Sequence, residues 1–77
     1  MAQLRNRLRE LRARHDLTQE GLAEDVGVTR QTVISIEKGD YSPSVFLALR
    51  IAHRLRVSVD DLFWLEDQDG EKGVGVA

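Results

Sequence analysis

An all-α domain of five short helices is the fold that this 77-residue chain predicts, on three observations. Apolar residues recur at helical spacing, with no strand-like alternation of useful length. Four Ser or Thr residues each lie between two apolar residues at the spacing of a hydrophobic staple. There is no cysteine, so packing and well-made helix ends must do what disulfides or thiolate-bound metals do elsewhere. One small domain is all that this length allows, since such a chain buries only ~60% of its unfolded surface. Tyr41, Phe46, Phe63 and Trp64 are the only aromatic residues, which implies an aliphatic core.

The first helix is expected over roughly 2–14, where Leu4, Leu8 and Leu11 stand at i, i+4 and i+7 with arginines on the flanks. Thr18, between Leu17 and Leu22, is the N-cap of a second helix over 19–26. Gly21 stands where a capping-box acid belongs and costs ~1 kcal/mol relative to Ala; nothing in the sequence accounts for it. Only Gly27, Val28 and Thr29 then remain before the next helix, a turn tight enough to require a left-handed Gly27. Thr29, between Val28 and Val33, opens the third helix, 30–38. Ser42, between Tyr41 and Phe46, opens the fourth, 43–56, with Pro43 at the first helical position. Ser58, between Val57 and Leu62 and three residues before Asp61, opens the fifth, 59–66. The second and third helices, joined so closely, form a helix-turn-helix. Residues 1–66 make the domain, and the acidic, Gly-rich stretch 67–77 has no periodicity and is expected to be a flexible tail.

A net charge of −2 argues against nucleic acid until it is divided by segment. Residues 1–56 hold ten cations against seven acids, +3, whereas 57–77 hold Lys72 against six acids, −5. The body is therefore basic, and a phosphate-binding surface needs local rather than total positive potential. The longest apolar run, Val45 to Leu49, is far below the ~20 residues that cross a bilayer, and no signal-peptide apolar region follows the Arg-rich N-terminus. A cytoplasmic protein without membrane partners is expected.

The faces of the third helix follow from its ~100° advance per residue. Val33 and Ile36 point inward, while Gln31, Ile34, Ser35 and Lys38 share the outward side, with Arg30 and Glu37 on the border. A solvated face would account for the polar members, but not for Ile34 among them. Thymine presents a methyl group in the major groove that an apolar side chain can read. Gln31 can pair with adenine, and Arg30 with guanine or a phosphate. Ile34 facing a thymine methyl is the reading adopted; packing of Ile34 in a protein interface is the alternative.

The stretch LTQEGLAEDVGVTRQTVISIEKGDYSPS, followed by ALRIAHRL and VSVDDLF, resembles the lambda-repressor-like family of helix-turn-helix domains, which includes Cro and CI-type repressors and xenobiotic-response-element regulators. The likeness covers residues 4–66 and is greatest to small stand-alone regulators. It implies that Gln19 holds the DNA backbone and that Thr29, Arg30, Gln31 and Ser35 approach bases or phosphates. It further implies that Arg12 and Glu37 form a partly buried ion pair between the first and third helices. Lys38 and Arg9 join the phosphate candidates, solvated charge being the alternative for Arg9 as for Arg5.

Specific binding by so small a domain normally takes two copies on half-sites ~34 Å apart, so a homodimer on a palindromic double-stranded operator is expected. The resemblance puts the dimer surface at the start of the fourth helix and at the fifth, with Val45 and Trp64 as anchors; Trp64 covering the first helix is the alternative. His15 and His53 have no partners at metal-ligand spacing, and Asp60 and Asp61 are explained by a helix first turn. No cofactor, small-molecule effector or enzymatic activity is expected. The leading function is a sequence-specific transcriptional regulator, a repressor by promoter occupancy. The alternatives are a DNA-binding antitoxin of a toxin–antitoxin pair and a protein-interaction module that uses the same helix.

Overall fold

The structure, a computed structural model, describes residues 2–67 and the backbone of 72–73. Its elements run β1 (Gln3–Asn6), α1 (Leu8–Arg14), α2 (Gln19–Val26), α3 (Arg30–Lys38), α4 (Val45–Leu55), α5 (Val59–Leu62), β2 (Phe63–Glu66) and β3 (Lys72–Gly73). All five helices send aliphatic side chains into one core, among them Leu8, Leu22, Val33, Ile51, Leu55 and Leu62. Among the described residues no polar or charged residue is buried as a whole, although Arg7 Nε is enclosed without a hydrogen-bond partner.

Three of the helix starts lie at the expected residue. Thr18 Oγ1 accepts from the Gly21 N–H at 2.9 Å, Thr29 Oγ1 from the Thr32 N–H at 3.2 Å and Ser58 Oγ from the Asp61 N–H at 3.2 Å. Leu17, Val28 and Val57, the residues before these caps, pack against the core and complete the staples. Gly27 is left-handed, with φ 78°. Gly21 acquires a reason here: a Cβ at this position comes within 3.1 Å of the Thr18 hydroxyl oxygen, so the glycine leaves room for the cap.

The first helix is shorter than the leucine spacing indicates. Residues 3–6 are extended and pair antiparallel with β2, Gln3 opposite Glu66 and Asn6 opposite Phe63. Leu8 and Leu11 are buried while Leu4 is 37% exposed, so Leu4 belongs to a strand and not to the helical stripe. Asn6 marks the boundary: its Oδ1 accepts from the Leu8 N–H at 3.0 Å, which satisfies an orphan donor of the first helical turn.

The fifth helix likewise ends at Leu62 rather than at residue 66. Phe63, Trp64 and Leu65 are bulky residues that suit a pleated, half-buried surface, and β1 offers their backbone a ladder that one more helical turn could not use. The expectation of no strand is thus corrected to a small antiparallel sheet in the order β1-β2-β3. The tail expected over 67–77 lies largely outside the described residues; the backbone of Lys72–Gly73 pairs with Leu65 and Glu66.

The fourth helix starts two residues later than Ser42 and Pro43 imply. Ser44, not Ser42, is the N-cap, and its Oγ accepts from the Leu47 N–H at 3.1 Å. The staple between Tyr41 and Phe46 does not form, since these side chains are 47% and 70% exposed. Starting at Ser44 turns Leu47, Ala48, Ile51, Ala52 and Leu55 inward as one continuous stripe. Helix α4 is held to α2 by Arg54, whose Nε lies 2.7 Å from Asp25 Oδ2, and to the end of α1 by His15, whose Nε2 donates to the Leu55 carbonyl at 2.9 Å.

Candidate DNA-binding face

Helix α2, the Gly27 turn and α3 pack closely, so the start of α2 lies beside the outer side of α3. Between them and α1 runs an open groove lined by Arg9, Arg12, Thr18, Gln19, Glu20, Arg30, Ile34, Glu37 and Lys38. Four of these residues are cationic and two acidic, which gives the groove local positive potential in a chain of net charge −2.

The structure brings together Arg9, Gln19, Arg30, Ile34 and Lys38 in this groove. Ile34 is half-buried in its wall, less exposed than the helical projection suggests, while Arg30 and Lys38 are exposed. Thr29, Gln31 and Ser35 lie outside the groove. Gln31 is exposed, and its Nε2 donates to Ser35 Oγ at a long 3.4 Å, so its amide is barely engaged and is free to meet a base edge. The Thr29 hydroxyl caps α3 and lies 3.0 Å from Thr32 Oγ1.

Arg12 Nε donates to Glu37 Oε2 at 2.8 Å, with the two side chains 16% and 8% exposed. The same guanidinium donates through Nη1 to the Leu17 carbonyl at 2.8 Å. Gln19 Nε2 donates to the other Glu37 oxygen, Oε1, at 3.1 Å. One carboxylate thus joins the turn before α2, the first residue of α2 and the last turn of α3. The Gln19 contact escapes sequence reasoning, because it depends on how α2 and α3 cross.

Val45 is 77% exposed and stands beside Phe46 at 70% and Leu49 at 54%. Phe46 and Leu49, with Val26, floor a cleft rimmed by Asp25, Arg50, His53 and Arg54. The sequence places Phe46 in the apolar run at the start of the fourth helix but offers Val45 as the anchor, and it does not point to Leu49. The available signal is that Leu47, Ala48, Ile51, Ala52 and Leu55 already fill the inward stripe, which leaves Phe46 and Leu49 surplus to the core. Trp64 is half-buried in β2 on another side of the domain, with the Arg7 guanidinium 4.9 Å from its ring centre. It borders Arg9, Glu10 and Ala13 of α1. Arg5, in β1, lies 3.7 Å from Glu66. Among the described residues no group of three or more His, Asp or Glu side chains converges as a metal site, and no helix is long and apolar enough to cross a membrane.

Comparison with known proteins agrees with this geometry. Residues 8–62 match the helix-turn-helix family model. The chain is 53% identical over 66 residues to the HTH-type transcriptional regulator YgzD of Bacillus subtilis, covering 86% of this chain and 100% of that one. It is 50% identical over 66 residues to an HTH-type transcriptional regulator of Methanocaldococcus jannaschii, with the same two coverages. Among solved structures, the restriction-modification controller protein C.AhdI of Aeromonas hydrophila superposes with a TM-score of 0.65 at 35% identity, over 70% of this chain and 78% of that one. The clp gene regulator ClgR of Corynebacterium glutamicum superposes with a TM-score of 0.66 at 33% identity over 70% of this chain, which spans 57% of that longer one.

A helix-turn-helix presenting a cation-lined groove defines a DNA-binding protein, and the matched relatives are transcriptional regulators. The chain belongs to the helix-turn-helix family, in its lambda-repressor-like, Cro/CI-type form, and it is a DNA-binding transcriptional regulator, not an enzyme.

Proposed function

We propose that this protein is a repressor that binds a palindromic operator as a homodimer in the cytoplasm, with α3 in the major groove. Arg30, Gln31, Ile34 and Ser35 read base edges, with Ile34 against a thymine methyl; Gln19, Thr29, Lys38 and Arg9 hold phosphates. The observation that carries this reading is the convergence of Arg9, Gln19, Arg30 and Lys38 on one groove beside Ile34. Phosphate contacts set the register there, and base contacts specify the sequence.

The exposed Val45, Phe46 and Leu49 stand together on α4 as an apolar surface, the kind of feature that marks an interaction site. Pairing two copies through this surface is the reading adopted for the dimer, with Val45 and Trp64 as the candidate anchors.

Selection of duplexes from a random pool at near-physiological salt, with sequencing of those retained, tests the proposal. An enriched palindrome with half-sites ~34 Å apart is the expected result. Replacing an enriched thymine by uracil, which lacks the methyl group, then weakens binding if Ile34 reads it. Retention without enrichment that vanishes as salt rises leaves backbone affinity alone and sinks the specific reading.

A further inference from the structure

A carboxylate in the wall of a groove that receives phosphate is an electrostatic liability, and Glu37 is one. Its charge is not displayed, however: the side chain is 8% exposed and both oxygens are occupied, Oε2 by Arg12 Nε at 2.8 Å and Oε1 by Gln19 Nε2 at 3.1 Å. We propose that Glu37 is a positioning residue for DNA contact, acting through Gln19 by locking the orientation of its side-chain amide. The inference rests on the DNA-binding reading above and names a function for a residue so far assigned only to an ion pair.

The chemistry is that of a two-faced group. A glutamine amide carries a donor nitrogen with two hydrogens and an acceptor oxygen. Only the nitrogen can serve a phosphate, whose oxygens accept. An unrestrained amide at the mouth of the groove presents either face. An ionised carboxylate only accepts, so Glu37 Oε1 can be faced by the Gln19 nitrogen but not by its oxygen. Reversing the amide sets oxygen against carboxylate at the same short distance. One N–H is used in holding the lock, and the second stays on the same nitrogen in the groove wall.

Arg12 makes the lock possible. Its Nε neutralises the far oxygen of Glu37, and its Nη1 donates to the Leu17 carbonyl at 2.8 Å, just before the Thr18 cap. The guanidinium therefore holds both the carboxylate and the turn that carries Gln19. Gln19 begins the search for a phosphate with its rotamer already set, which reduces the ordering cost of the contact.

The test is a double-mutant cycle on DNA affinity with Glu37→Gln and Gln19→Ala, at fixed salt on the selected operator, with unfolding measured separately. Glu37→Gln removes the charge at constant shape and lets the facing amide turn over. The expected result is binding about tenfold weaker in the wild-type background and no change when residue 19 is already alanine. A shift of the Gln19 side-chain amide resonances in the free protein should accompany it. Equal weakening in both backgrounds means that Glu37 only supports the fold, and tightening in both means that it only repels phosphate; either result overturns the proposal. If Glu37→Gln does not fold, Glu37→Asp keeps the charge, withdraws the carboxylate from Gln19 and enters the same cycle. A wild-type protein with no salt-dependent affinity for any duplex overturns the DNA reading and Glu37's role in it. The amide resonances still report on the lock in that case, and if they do not move the lock is wrong as well.

Discussion

Asn6 donates from Nδ2 to the carbonyl of Ile36 at 2.9 Å while its Oδ1 accepts from the Leu8 N–H at 3.0 Å. One amide therefore ends β1, starts α1 and docks both on the last turn of α3. Both bonds are partly shielded from water, and no neighbouring side chain duplicates either of them among the described residues. Asn6→Ala is expected to lower the unfolding free energy by ~1–3 kcal/mol, measured by urea denaturation. A loss under about 0.5 kcal/mol, the size of an ordinary surface substitution, would show that the sheet and core hold this corner without it.

Gly21 should defy the usual gain from placing alanine in a helix. Alanine is favoured by ~1 kcal/mol at an exposed helical position, but its Cβ comes within 3.1 Å of the Thr18 oxygen that caps α2. Gly21→Ala is therefore expected to give little or no increase in thermal stability. In a Thr18→Ala background, where the cap is already lost, the same substitution should recover the full gain. Equal gains in both backgrounds would mean that the cap moves aside at no cost.

Base-reading and phosphate-holding side chains should fail in different ways. Gln31→Ala is expected to weaken operator binding by ~1–3 kcal/mol and relax preference at one base position. Lys38→Ala should weaken all sequences about equally and lower the salt slope by about one ion. Binding titrations across a salt series on matched and mismatched duplexes separate the two. Indistinguishable variants would refute the assignment of Gln31 and Lys38.

Phe46→Glu tests the exposed face of α4. The ring is 70% exposed in the single chain and the Arg50 guanidinium sits 5.6 Å from its centre, so the charge enters no core. Sedimentation is expected to show a dimer converted to monomer, with far-ultraviolet circular dichroism unchanged. A dimer that persists moves the interface elsewhere, and Trp64 is then the next position to change.

What can be read from residue order is local. Thr18, Thr29 and Ser58 announce their helices because a cap and its staple lie within five residues of each other, and Gly27 announces its turn because few other residues accept a φ of 78°. The family string around the turn points to the DNA-binding class as well, since a helix-turn-helix is contiguous in sequence. The helical stripe misled at both chain ends. Leu4 continues the spacing of Leu8 and Leu11, and Phe63 to Leu65 could prolong α5, yet residues 3–6 and 63–66 meet as strands. Their pairing partners are about sixty residues away in sequence, and no local propensity records a ladder formed across that distance. The same holds for Gln19 and Glu37, 18 residues apart. The sequence offers Gln19 as a phosphate contact and Glu37 as the ion-pair partner of Arg12, each without reference to the other. They become one group only when α2 and α3 pack together, where a carboxylate only 8% exposed must find a donor for each oxygen.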